Sequence, residues 1–320
     1  QALGFIAARF SGVGGVISKR IKLVQSVAEE LLHTTVRLEG HKKEGLSVGT
    51  GFFFFHDERL YIITNKHVIE GVVSGSFAVL KGEGDGEEKS PILGESHQIN
   101  FIESNFIGHP NPSVDVAVMN ISTQLSEICE GGEIAFWKHI TQKLFPTEEQ
   151  FDKFIGPMEE VVFIGYPSGI WDTKNLLPIA RKGMTASPCY IDFEGEKKFL
   201  IDASVFPGSS GSPVFIYYAG GHSDKQGGMY TGNRIHFIGI ISKVYQRLEQ
   251  GEVQVIDIPT EQKTIAQVNQ MIDLGITFKA ETIIETIDHF LSVVAVREEV
   301  SIPMPSRNSL CHCGSGEKYK

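Results

Sequence analysis

The chain has 320 residues, of which 41% are hydrophobic and 21% charged, a balance that suits a folded soluble protein with a sizeable core and argues against disorder. A net charge of −10, with no lysine or arginine cluster set against it, disfavours nucleic-acid phosphates and anionic lipid, so neither is an expected partner. No apolar run approaches the ~20 residues that cross a bilayer, and the first residues lack the charged-then-apolar order of a secretion signal. Gln1 in place of an initiator methionine is expected of a chain that starts inside a longer one or after processing.

Residues 1–32 read as an N-terminal helical segment, since apolar positions recur every three or four residues between 16 and 32. From 33 to 121 short β-branched and aromatic runs alternate with glycine, asparagine and proline, as an antiparallel barrel requires. Within it, residues 81–91 (Lys81 to Pro91) are too polar to bury and read as an exposed hairpin loop. Residues 122–158 mix helical spacing with charge and form the connection to a second β-barrel at 159–260. A C-terminal helical segment covers 261–295, with clear helical periodicity from Ala280 to Ala295. Residues 296–310, with Pro303 and Pro305, form a flexible linker to the last ten residues. Cys129 and Cys189 are isolated and Cys311 and Cys313 sit together near the end. That is no secreted disulfide framework, and a reducing cytoplasm is the expected compartment.

Phe206-Pro-Gly-Ser-Ser-Gly-Ser-Pro-Val-Phe215 places the Ser210 hydroxyl on a glycine-flanked turn, where the backbone N–H groups of Gly208 and Ser210 can converge on an oxygen that turns negative during acyl transfer. A hydroxyl is a poor nucleophile without an imidazole to take its proton and a carboxylate to hold that imidazole in one tautomer. His67, in Thr64-Asn-Lys-His67, and Asp115, in Asp115-Val-Ala-Val118, supply both. Taken singly, these are an ordinary core histidine, a strand cap and a turn serine. In the order His, Asp, Ser they form a candidate catalytic triad.

That order, those three contexts and the Gly49-Thr-Gly-Phe-Phe53 strand resemble the trypsin-like, chymotrypsin-fold serine peptidases, above all their bacterial branch. The resemblance implies an all-β core of two antiparallel six-stranded β-barrels with an N-terminal and a C-terminal helix. It also implies hydrolysis of protein or peptide substrates through an acyl-enzyme, with no cofactor for catalysis. Ser209 stands where animal digestive members carry an aspartate for zymogen activation, so control by that ion pair is not expected. Alignment by motif puts Ser204 at the base of the specificity pocket, where trypsins carry aspartate, and Ile241, Ser242, Lys243 and Val244 in its wall. Val244 replaces a common glycine, which implies a small or medium neutral residue before the scissile bond. Ile241 replaces the histidine of glutamyl endopeptidases, while Lys243 keeps a glutamyl preference open. A catalytically silent peptide-binding scaffold of the same fold is the other alternative.

Cys311-His-Cys-Gly-Ser-Gly-Glu-Lys-Tyr-Lys320 resembles the first half of a SEC-C motif, a small zinc-binding element. The resemblance makes Cys311 and Cys313 two zinc ligands, whereas a closed structural site needs four. This chain is therefore expected to bind zinc weakly or not at all through the element, and a longer chain to bind zinc and dock a partner protein.

Overall fold

A computed structural model describes residues 24–84, 89–253 and 264–301. A short helix α1 (Val27–Leu32), capped by Ser26 and Glu29, leads into β1 (Thr35–Lys42), β2 (Gly45–His56), β3 (Arg59–Thr64), the one-turn helix α2 (Lys66–Ile69), β4 (Val72–Glu83), β5 (Ser90–Phe101), β6 (Ile107–Gly108) and β7 (Ala117–Asn120). The connection holds α3 (Ser122–Glu130), β8 (Ala135–Phe136), β9 (Ile140–Thr141) and α4 (Glu148–Lys153). Then come β10 (Glu160–Gly165), β11 (Ile179–Thr185), β12 (Lys198–Asp202), β13 (Pro213–Tyr218), a β14 (Gly221–Ser223) and β15 (Met229–Thr231) hairpin, β16 (Arg234–Val253), β17 (Thr264–Lys279) and α5 (Glu281–Ser301).

The central strands have no polar face because both faces are covered. Successive side chains of a strand point to opposite sides, so Phe53, Ile62, Ala117 and Met119 enter the core of the first unit. Their neighbours Phe52, Phe54, Tyr61, Ile63, Val116 and Val118 face a second core shared with Phe215, Phe237 and Phe278. In the second unit Ile238 and Ile241 turn into a third core with Phe163, Phe199 and Val214. The register of β13 against β16 slips between Val214 and Phe215. This extra residue lets Phe237 and Ile240 face the shared core while Ile238 faces the third. The shared core thus welds the two units along the line where the candidate catalytic residues sit.

The core is all-β with a helix at each end of the described fold, and the second unit closes as the barrel β10-β11-β12-β17-β16-β13. The first unit departs from six-stranded closure. It is a nine-stranded sheet in the order β5-β4-β1-β2-β3-β7-β6, with β8 on β4 and β9 on β2. β5 and the two-residue β6 lie at opposite ends of that order, and among the described residues no ladder joins them.

Three boundaries also shift. β17 occupies residues 264–279, within the span 261–295 expected to be a helical segment, because its backbone completes the barrel between β12 and β16. Helix α5 continues through Ser301 into the stretch read as linker. β4 and β5 run into the stretch read as a loop, reaching Glu83 and resuming at Ser90. The expected helix before residue 24 and the motif at 311–320, with Cys311 and Cys313, lie outside the described residues. Among the described residues, no helix is long and apolar enough to cross a membrane, and no three His, Cys, Asp or Glu side chains cluster to hold a metal ion.

Candidate active site

His67 is carried on α2, one turn of helix that begins where β3 ends. The turn is held from below by Asn65, wholly buried, whose Nδ2 donates to the Asp115 carbonyl at 2.6 Å. Asp115 lies just before β7, and its side chain reaches back to α2. Its Oδ2 is 2.6 Å from His67 Nδ1, and its Oδ1 accepts the His67 backbone N–H at 3.2 Å. The imidazole itself remains half-exposed, with a cleft of about 460 Å³ opening beside it between Lys66, Phe106, Pro112 and Lys243. A separate cavity of about 210 Å³ lies between β1 and Trp171 and contains none of the candidate catalytic groups.

Burial alone would raise the Asp115 carboxyl. The hydrogen bond and charge of His67, a hydrogen bond from Ser242 and the His67 N–H outweigh it and hold the group at about 2. Asp115 is therefore a carboxylate throughout the neutral range, an acceptor that fixes the imidazole by its Nδ1.

The turn that carries the candidate nucleophile Ser210 precedes β13. Gly208 and Gly211 have φ of +88° and +89°, the left-handed region that side chains avoid. At Gly211 a Cβ would stand 1.9 Å from the Thr50 carbonyl oxygen, so only glycine lets the turn lie this close to β2. Peptide planes place the two candidate oxyanion donors. The N–H of Ser168 donates to the carbonyl of Pro207, which sets the opposite-facing N–H of Gly208. The N–H of Ser212 donates to the carbonyl of Ser209 at 3.0 Å, which sets the N–H of Ser210. Neither donor is used in a hydrogen bond among the described residues.

The Ser210 hydroxyl donates to the Ser242 carbonyl at 3.0 Å, and no hydrogen bond joins it to His67 among the described residues. The structure therefore brings His67 and Asp115 into contact and sets Ser210 on the same strand neighbour, β16, with its hydroxyl turned to that strand. Ser242 is the common element, for its own hydroxyl donates to Asp115 Oδ2 at 2.6 Å.

The expected pocket wall divides. Ile241 is fully buried in the barrel core and offers no side chain to a substrate, a correction that follows from the alternation of β16 around the register slip. Ser242 supports Asp115 instead. Lys243 lines the cleft beside His67, and Val244 packs on the barrel core that includes Val205. Ser204 is half-buried just before Val205. Sequence reasoning missed what Thr50, Asn65 and Ser242 do to hold these groups. Thr50 and Asn65 stand in motifs visible in the sequence, Gly49-Thr-Gly and Thr64-Asn-Lys-His67, which do not by themselves show what these side chains contact.

A family model described as trypsin-like peptidase domain matches residues 49–220, and one described as SEC-C motif matches residues 307–320. The search of curated proteins finds no match. Among solved structures, the HtrA-type protease AlgW with tripeptide is 14% identical, with 83% of this chain and 62% of that chain covered and a TM-score of 0.43. A serine endoprotease from Yersinia pestis is 16% identical, over 69% of this chain and 59% of that one, with a TM-score of 0.38. The thermostable serine protease AL20 from an extremophilic microorganism is 12% identical, over 80% and 95%, with a TM-score of 0.41. The chain thus spans about three fifths of the length of the first two.

Proposed function

The chain belongs to the trypsin-like peptidase family, and from that premise we propose that it is a serine endopeptidase acting through His67, Asp115 and Ser210. The carrying observation is the 2.6 Å contact of His67 Nδ1 with a buried carboxylate held at about 2, beside a serine on a glycine turn with two unused N–H donors. The mechanism requires the Ser210 hydroxyl to leave the Ser242 carbonyl and turn toward His67, a change between staggered rotamers. The imidazole then accepts the proton as Ser210 Oγ attacks the peptide carbonyl, and Asp115 stabilises the imidazolium. The N–H groups of Gly208 and Ser210 meet the oxyanion. Collapse of the tetrahedral species expels the amine, protonated by His67, and water resolves the acyl-enzyme by the same route.

For specificity, the half-buried, branched Val244 in the wall of a pocket based on Ser204 favours a small or medium neutral residue before the scissile bond. Lys243 stands in the cleft beside His67, so any preference for an acidic residue is exerted there. The isolated thiols favour a reducing cytoplasm. The thiolates of Cys311 and Cys313 suit zinc as a donor pair, and the SEC-C match supports reading the terminus as a docking element for a partner protein.

A silent peptide-binding scaffold is the second reading, favoured by the Ser210 hydroxyl resting on Ser242. A fluorophosphonate probe separates the two. The peptidase reading expects labelling of the wild-type protein at Ser210 and none of Ser210→Ala. An unlabelled, folded wild-type protein selects the scaffold. A peptide-library profile then reads the specificity.

A further inference from the structure

We propose that Thr50 is a positioning residue for the oxyanion site, a reading that rests on the peptidase assignment of Ser210 and Gly208. Thr50 lies in β2, wholly buried, at the point where the first unit meets the nucleophile turn. Its hydroxyl donates to the Gly208 carbonyl at 2.9 Å and accepts the backbone N–H of Tyr166 at 3.2 Å. The Ser212 hydroxyl approaches the same oxygen at 3.4 Å. The Thr50 backbone N–H donates to the Ser210 carbonyl at 2.8 Å, and the Thr50 carbonyl accepts the Thr64 hydroxyl at 2.8 Å. One residue of the first unit thus grips two carbonyls of the turn, 158 residues away by way of its side chain.

The grip falls on a decisive plane. The Gly208 N–H and the Ser210 N–H belong to two peptide planes, anchored through Pro207 and Ser209 by Ser168 and Ser212. The Gly208–Ser209 peptide is the link between them, and the Thr50 hydroxyl is what holds its carbonyl. Glycine at 208, with φ of +88°, places little steric restraint on that link. The Ser209 N–H of the same plane donates to the Phe206 carbonyl at 3.0 Å, so the Thr50 hydroxyl fixes the plane from its other side and keeps the two donors aimed at one point. Geometry of this kind is exacting, since displacement of a reacting group by about 1 Å costs on the order of 100-fold in rate.

The second anchor makes the same loop dependent on Thr50. Tyr166 follows β10, and Ser168, which clamps Pro207, is two residues further on at φ of +50°. Gly165 confirms the closeness of approach, because a Cβ there would lie 2.1 Å from the Ser212 hydroxyl and 2.6 Å from that of Thr50. Loss of the Thr50 hydroxyl frees the Gly208 carbonyl directly and the start of the Ser168 loop indirectly.

The test compares wild type, Thr50→Val and Thr50→Ser on the best peptide from a cleavage library. Affinity for a peptidyl trifluoromethyl ketone of the same sequence, which forms an oxyanion on binding, is measured in parallel. Thr50→Val is expected to lose about 10- to 100-fold in kcat with KM within about 2-fold, and to weaken the ketone by a similar factor. The pH profile stays unchanged, and Thr50→Ser restores most of the loss. Where Thr50→Val does not fold, Thr50→Ala, which also lacks the hydroxyl, is read in its place. A folded hydroxyl-less variant with wild-type kcat, or one that loses KM and ketone affinity equally, overturns the proposal. Wild-type protein without Ser210-dependent hydrolysis overturns the peptidase reading beneath it, a distinguishable result.

Discussion

At the scale of single residues, Ser242 shows how one side chain can serve a site by contact with its acid. Its hydroxyl gives Asp115 a third donor, beside the ring and the backbone N–H of His67. A hydrogen bond to a charged acceptor is worth about 1.5–3 kcal/mol net, so Ser242→Ala should lower kcat/KM by roughly 10-fold or more. The same change removes one of the contacts that depress the Asp115 carboxyl, so its titration should move upward from about 2. Carboxyl-carbon NMR against pH reads the second effect. An unmoved titration would mean that His67 alone sets the charge on Asp115.

Among the elements, helix α5 is the brace of the first unit. Ile283, Ile287 and Phe290 recur at the spacing of one helical face and are buried in the shared core, with Phe290 edge-on to Tyr61 of β3 at 5.7 Å. On the same helix Glu285 accepts from His109 Nε2 at 3.0 Å and also pairs with Lys197 of the second unit. His109 in turn sits on the segment that leads to Asp115, its Nδ1 accepting the Asn111 N–H at 3.0 Å. The helix therefore ties both units to the acid-bearing loop. Truncation of a buried isoleucine costs about 2–5 kcal/mol, and Ile287→Ala is expected to lower the urea midpoint accordingly with the slope unchanged. A midpoint equal to wild type would show that the helix is not part of the cooperative fold.

For the whole molecule, two buried histidines outside the candidate triad contribute to acid stability. His33, behind β1, and His236, in β16, are both buried. Burial first, then the positive charge of Lys138 for one and of Arg234 for the other, lowers each from 6.5 to about 4. The folded state then binds fewer protons than the unfolded chain between those values, so stability is full above pH 6.5 and falls as pH drops toward 4. Each histidine accounts for a loss on the order of 3 kcal/mol. Asp115 adds its own loss only as pH falls from 3.8 toward about 2. Urea midpoints from pH 7.5 to 4 should decline mainly below 6.5, and His236→Asn should flatten the decline. A wild-type midpoint level over that interval would contradict the burial of both rings.

The candidate triad was legible because each member sits in a local motif whose backbone is set by near neighbours. The glycines at 208 and 211 permit left-handed turns, and His67 and Asp115 lie beside short apolar runs with β-branched residues, of the kind that form β3 and β7. Strand count and closure of the first unit were not legible, since β8 and β9 are two-residue pairings inside a charged connection. The reassignment of Ile241 and Ser242 depended on a register slip in β16, and slipping by one residue exchanges the faces of everything beyond it. Sequence by itself thus determined which chemical groups are available and the kind of turn that carries the serine. Tertiary structure alone decided which donors hold them, because the contacts from Thr50 to Gly208 and from Ser242 to Asp115 span 158 and 127 residues and exist only once two separately folded sheets meet across a common core.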